Sequence, residues 1–349
     1  MSEMPDIRCL DTLFAGAECV GIAVHTHSDG DALGSGTALL EYLKRCRGVR
    51  ASLLLPDPVA PYLRFLAPAE GWLTATDGPQ AADWIAGCDL LVCLDMNGFG
   101  RAGSLEAPLR ASRARKVLID HHLHPELESF ELVFSETQVS SASELLYRIL
   151  LSLPGVGRAD RLPMQTLTPL LAGMTTDTNN FANSVFPSTL QMASELLAAG
   201  VDRDALLEAL YHNYRENRFR AMGSYLNDLM HITESGVAYA VLRRDYLDRY
   251  DLREGETEGF VNLPLGIDRV RLSVFLREDD GHFRVSLRSK PGVSASRLAA
   301  EAFHGGGHEC AAGGKLYFPQ DIAGPEHAAA YIETMTARFM RNSAPSDTD

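Results

Sequence analysis

The spacing of apolar positions changes twice along the chain. CVGIAV (19–24), ASLLL (51–55), DLLVCL (89–94) and KVLI (116–119) are short apolar runs with β-branched residues, separated by helix-compatible stretches. Such runs suit strands covered on both faces, and the order predicts an α/β domain with a doubly wound, mostly parallel sheet. Leu167, Leu170, Leu171 and Met174 then recur at helical spacing up to TTDTNN, and Leu206, Leu210, Tyr214, Met222, Leu226 and Met230 fall mostly four apart. The second set predicts one long connecting helix, with Gly223 as the place of a break. Beyond residue 235 the period becomes two: GVAYAVLRR, RVRLSVFLRE and HFRVSLRSK alternate apolar and polar, and EDDG between the last two is a hairpin signal. The helix-like SASRLAAEAF and then GGGHECAAGG follow, so the second domain is expected to be a smaller α+β unit with a mostly antiparallel sheet. The expected divisions are 1–200, a helical linker over 201–232, 233–341, and a disordered tail over 342–349, NSAPSDTD.

Composition narrows the class. With 349 residues, 46% of them apolar, the chain is long for a single core, and two domains are the natural reading. No run approaches the roughly 18 apolar residues of a membrane span. MSEMPDIRCL lacks the basic-then-apolar order of a signal peptide. Six cysteines without a CxxC pair or a disulfide-framework spacing fit a reducing compartment, so a cytoplasmic protein with no membrane partner is expected. The net charge of −14 argues against long duplex DNA as a partner. A small anion or a short strand is compatible, provided that metal ions or a local basic patch reverse the field.

Three predicted strands run directly into ligand-type residues: the first into His25, the third into Asp95, the fourth into Asp120-His121-His122. In an open parallel sheet the carboxyl ends of the strands share one edge, where ligands bind, so residues a hundred positions apart can meet there. The helix ending near Asp177 can deliver a further carboxylate. Oxygen and imidazole donors without thiolate suit manganese, magnesium or iron better than structural zinc. The stretch HTHSDGDALGSG (25–36) is not a P-loop, because no Lys follows its glycines, and not an EF-hand, because Leu33 and Leu40 occupy ligand positions. HTHSDG also resembles the HxH and SDG elements of PHP-type phosphoesterases, but that family spaces the two further apart and its later motifs are not evident.

Together these residues resemble the DHH phosphoesterase family, over nearly the whole chain. The first motif, HxxxDxD, is present as His25, Asp29 and Asp31; the second as Asp95, Arg101 and Gly103; the third as Asp120-His121-His122; the fourth, of TDTG type, as Thr176-Asp177-Thr178-Asn179. GGGHECAAGG, Gly305 to Gly314, resembles the GGGHxxAAG signature of the DHH-associated substrate-binding domain. The clearest departure is Asn179, where the family usually has Gly.

The resemblance implies that His25, Asp29 and Asp95 hold one divalent cation and that Asp31, Asp95, His121 and Asp177 hold a second, with Asp95 bridging and Mn²⁺ the expected metal. It implies that Asp120 orients an imidazole or a neighbouring loop, that His122 contacts the scissile phosphate or protonates the leaving oxygen, and that Arg101 clamps a phosphate. His27 is expected to support the ligands without binding metal, and His124 to be an exposed loop residue. In the second domain, Arg284, Arg288 and Lys290 share a strand face with Arg269, Arg271 and Arg277. Arg288 and Ser289 match an Arg-Ser pair of related nanoRNases. Gly305, Gly306 and Gly307 can present backbone N–H groups to an anion, and His308 can contact a phosphate or stack on a base. The activity implied is that of a nanoRNase cleaving very short RNA or linear dinucleotides such as pApA to mononucleotides, and of a phosphatase for 3′-phosphoadenosine 5′-phosphate. An exopolyphosphatase or pyrophosphatase is the enzymatic alternative, a catalytically silent nucleotide-binding regulator the alternative of another class. A homodimer is compatible with all three.

Overall fold

The computed structural model describes residues 5–342, which form two compact units divided between Asn213 and Tyr214. The tail expectation falls mostly on 343–349, outside the described residues, while Asn342 ends the last helix. No helix among the described residues is long and apolar enough to cross a membrane.

The first unit carries β1 (Cys19–Ala23), β2 (Arg50–Leu55), β3 (Trp72–Thr74), β4 (Leu90–Leu94), β5 (Arg115–Asp120) and β6 (Leu132–Ser135). Its helices are α1 (Ile7–Gly16), α2 (Gly30–Tyr42), α3 (Gln80–Gly87), α4 (Glu106–Ala111), α5 (Ala142–Ser152), α6 (Met164–Asp177), α7 (Pro187–Ala198) and α8 (Arg203–Tyr211). The sheet order is β3-β2-β1-β4-β5-β6, parallel throughout. Both faces are covered, which is why the strand sequences are apolar without alternation. Val20, Ile22, Leu90, Val92 and Leu94 pack into one core, with α1, α2, α5 and α6, whereas Ala23, Leu91 and Cys93 pack into another with Ile85 and Phe99. The strand order reverses between β1 and β4, and outside the carboxyl ends of that pair a doubly wound sheet opens its crevice.

α2 is buried along its whole length, with no polar face. Its small residues serve close packing against α6. A Cβ on Gly34 would lie 2.5 Å from the Pro169 carbonyl oxygen and 3.0 Å from the Gly173 nitrogen, and one on Gly30 would overlap Thr176. Glycines in a helix cost stability, so their presence here marks an approach that no side chain would permit.

The second unit contains α9 (Glu216–Ser224), β7 (His231–Ile232), β8 (Val237–Leu242), α10 (Arg244–Arg249), β9 (Leu272–Asp279), β10 (His282–Ser289), α11 (Ala295–Ala302), β11 (Gly306–His308), β12 (Ala311–Tyr317) and α12 (Ala328–Asn342). The sheet order is β11-β12-β10-β9-β8-β7; β8 and β9 run parallel and the other neighbours antiparallel. β9 and β10 form the hairpin that EDDG signals, with Gly281 at φ 73° in its turn. The expected long helix between the domains is not formed. The chain stops at Tyr211, passes through an irregular stretch and restarts at Glu216, while the helix runs through Gly223 into a π-turn over Tyr225–Leu229. The break lies where Arg215 leaves the helical path to bind Glu256 and Asp251, and a four-residue apolar spacing cannot report that pairing.

Candidate metal centre at the strand-order switch

β1 ends at Ala23, and Val24 leads into His25, whose Nδ1 lies 2.8 Å from the Thr26 carbonyl oxygen. If Nδ1 carries the proton, Nε2 is left free to act as a ligand. Asp29 caps α2, its Oδ1 accepting from the Asp31 and Ala32 N–H groups. β4 delivers Asp95 in the left-handed region, φ 55°, a strained conformation for a non-glycine residue that turns the carboxylate inward. Asp95 Oδ2 is 3.2 Å from His25 Nε2, and Oδ1 faces His121 Nε2 at 3.4 Å and His122 Nδ1 at 3.6 Å. Asp95 is 2% exposed, and Oδ1 is a buried acceptor without a hydrogen bond.

Asp31, 1% exposed, accepts from the first two N–H groups of α5: Ala142 at 2.6 Å and Ser143 at 2.9 Å. The positive end of that helix thus holds its carboxylate. Gly173 makes room, because a Cβ there would overlap the Ser143 hydroxyl and lie 2.7 Å from Asp31 Oδ1. His121 Nε2 lies 3.9 Å from Asp31 Oδ2 and 3.5 Å from Asp177 Oδ2, at the end of α6. Within the first unit, three sets of ligand atoms each fall within 4.8 Å of one another: His25 with Asp29 and Asp95, Asp31 with Asp95 and His121, and Asp95 with Asp120 and His122. Asp95 belongs to all three.

The electrostatics of the cluster call for cations. Burial by itself would lower the His25 and His121 pKa values, but the surrounding carboxylates outweigh it and raise both to about 10. Burial and the charges of Asp95 and Asp177 push Asp31 well above the usual carboxylate range. Burial works the same way on Asp95, yet His121 and His25 hold it well below that range. Without metal, imidazolium protons supply the positive charge that the carboxylates require.

A model of the DHH family N-terminal domain matches residues 20–174 and one of the DHHA1 domain matches 234–336. The chain is 32% identical over 302 residues, 84% of its own length and 83% of the relative's, to the bifunctional oligoribonuclease and PAP phosphatase NrnA of Thermus thermophilus. It belongs to the DHH family. A probable protein of the same description from Streptococcus mutans is 28% identical over 304 residues, 85% of this chain and 89% of that one. Among solved structures, an exopolyphosphatase-related protein of Bacteroides fragilis superposes with a TM-score of 0.87 at 31% identity, covering 97% of each chain.

Members of this family are metal-dependent phosphoesterases, and the residues present fit divalent cations: carboxylate and imidazole donors, no thiolate, and the orphaned Asp95 Oδ1 between the groups. The third motif divides its labour in a way its sequence does not show. Asp120, fully buried, holds His122, with Oδ1 2.7 Å from His122 Nδ1 and Oδ2 accepting the His122 N–H at 3.0 Å. His122 Nε2 is 3.0 Å from Arg101 Nη1. The Gly of the second motif also has a reason: Gly103 sits at φ 55° where a Cβ would strike Thr26, and the Arg101 carbonyl accepts the Thr26 N–H at 2.9 Å, which pins the arginine loop to the His25 loop. Asn179 likewise occupies φ 48°, a conformation that Asn tolerates best after Gly, so the departure preserves the turn beside Asp177.

In the second unit several expected substrate groups have structural partners. The Ser289 hydroxyl donates to the Val293 carbonyl. Gly305 and Gly307 allow β11 to approach β12: a Cβ on Gly305 would strike the Gly313 carbonyl, and Gly307, at φ 144°, lies against the Ala311 carbonyl. Arg277 and Arg284 share the Glu254 carboxylate, and Lys290 donates to the Ile267 and Asp268 carbonyls. Alternation revealed that face but not Glu254, which neutralises part of it from a separate segment. Arg288 and His308 are partly buried. Sequence reasoning missed the helix-crossing glycines Gly30, Gly34 and Gly173, and the α5 N-terminus that carries Asp31. A small-xxx-small spacing at 30 and 34 was the available signal.

Proposed function

We propose that this protein is a phosphodiesterase that uses two divalent cations, Mn²⁺ foremost, to cleave very short oligoribonucleotides and linear dinucleotides such as pApA to mononucleotides. It also removes the 3′-phosphate of 3′-phosphoadenosine 5′-phosphate, and it acts in the cytoplasm. The observation that carries the proposal is the position of Asp95, shared by adjacent carboxylate–imidazole groups at one sheet edge. His25, Asp29 and Asp95 would hold one cation, and Asp31, Asp95, His121 and Asp177 the other. When bound, such a pair would supply Lewis acidity that activates water at neutral pH and offsets the charge of phosphoryl oxygens.

The chain's own groups do the rest. Arg101 binds a non-bridging phosphate oxygen and, in doing so, releases His122 Nε2 toward the leaving oxygen. Asp120 keeps the His122 Nδ1 proton in place and so aims Nε2 at the leaving oxygen, to which it passes a proton taken up from solvent. Arg288, Ser289, the glycines 305–307 and His308 bind the remainder of the substrate, Ser289 and the glycines chiefly through the backbone they shape. The test is Mn²⁺-dependent hydrolysis across a series from dinucleotide to 24-mer, beside 3′-phosphoadenosine 5′-phosphate, pyrophosphate and polyphosphate. A steep preference for two to four nucleotides is expected. Turnover confined to pyrophosphate or polyphosphate would overturn the proposal.

A further inference from the structure

We propose that a cavity of about 280 Å³ in the first unit, beside Arg101, receives the base of one substrate nucleotide. This inference rests on the function proposed above and names a subsite of that centre. Small-molecule sites span roughly 300–1,000 Å³, so the cavity admits a base-sized fragment and leaves its phosphate outside. Arg101 lines it while lying 3.0 Å from His122 Nε2. A base lodged here places its phosphate at the arginine and hence at the reacting groups.

The lining is suited to a neutral, planar ligand. Arg110 and Glu126 form one wall but spend their charges on each other, with Arg110 also bound to Glu106 and Glu126 to the Ser129 hydroxyl and Phe99 N–H. Gly98 and Gly100 contribute no side chains, and a Cβ on Gly100 would meet nothing within 4 Å. Two polar groups remain. Asn97 Nδ2 donates to the Leu123 carbonyl at 3.0 Å, which leaves Oδ1 to accept from an exocyclic amino group. His124, exposed and at φ 59°, offers an imidazole face on which a base can stack. Inorganic polyphosphate could use the arginine at the mouth but nothing behind it, so the cavity favours nucleotides over polyphosphate.

The experiment compares pApA with two analogues, each lacking one base, in the wild type and in His124→Asn and Gly100→Leu. Asn tolerates the left-handed backbone at 124, and the Leu enters open space, so both variants should fold. Removal of one particular base should raise KM about tenfold in the wild type. Each variant should raise KM for pApA about tenfold, yet change the corresponding abasic analogue less than twofold, because the lost contact is already absent. Equal losses on all three substrates, or unchanged KM for pApA, would overturn the inference. Should the wild type fail to cleave pApA, the proposed function falls. The cavity is then judged by calorimetric titration with AMP and ribose 5-phosphate: a preference for AMP that both variants abolish supports it, and equal affinities reject it.

Discussion

Replacing Gly34 by Ala tests whether the α2–α6 crossing builds the metal centre. The added methyl would sit 2.5 Å from the Pro169 carbonyl oxygen, where ordinary contact begins at 3.4 Å. The obstacle is helix backbone, so the two helices must part by roughly 0.9 Å in an interior packed as densely as a crystal. Overpacking of this kind costs about 1–3 kcal/mol, partly offset by the ~0.5–1 kcal/mol that Ala gains over Gly within a helix. The melting temperature should therefore fall by no more than about 10 °C, at about 2–4 °C per kcal/mol for a unit of this size. Activity should fall much further. Asp31 stands one turn from Gly34, and Asp177 one turn from Gly173, so a displacement near 1 Å moves two carboxylates of one ion site and can cost about a hundredfold in turnover. Mn²⁺ titration of pApA hydrolysis, with melting curves of the chelated protein, should show weakened metal activation beside a modest loss of stability. Gly223→Ala, where a Cβ meets nothing within 4 Å, is the control and should stabilise by about 0.5–1 kcal/mol. Wild-type turnover and metal activation in Gly34→Ala would refute the reasoning.

Asp95→Asn should lower turnover by at least about a hundredfold, since loss of a group merely supporting a ligand costs 10- to 100-fold, and calorimetric titration should show Mn²⁺ affinity reduced for both ions. Asp120→Asn releases the His122 Nδ1 proton from its carboxylate, so kcat should fall about 10- to 100-fold with KM nearly unchanged, and a distorted pH profile of kcat should accompany it. In the metal-free protein the His25 and His121 pKa values stand at about 10, above the ordinary value of 6.5. Their contribution to stability is complete below pH 6.5 and is lost as pH rises toward 10. Melting temperature measured with chelator should fall across that window, and saturating Mn²⁺, which replaces the protons, should flatten the profile. Glu254→Gln removes the negative charge that Arg277 and Arg284 share, and urea titration should show a loss of about 1–3 kcal/mol; unchanged stability would mark the pair as inert.

The sequence alone determined the parts that are local. Apolar runs of fixed length and period define β1, β2, β4 and β5, because a strand covered on both faces has no other way to be built. The hairpin of β9 and β10 follows from its Gly281 turn. The acids and histidines at strand ends are legible because a parallel sheet assigns one edge to all of them. Tertiary structure alone decided what depends on a partner distant in the chain: that Gly30 and Gly34 let α2 lie against α6, that Asp31 rests on the first N–H groups of α5, and that Arg215 pairs with Glu256 and Asp251 where the connecting helix breaks. Periodicity encodes which face a residue turns to the core. Which atom waits on the other side is set only when the two segments pack.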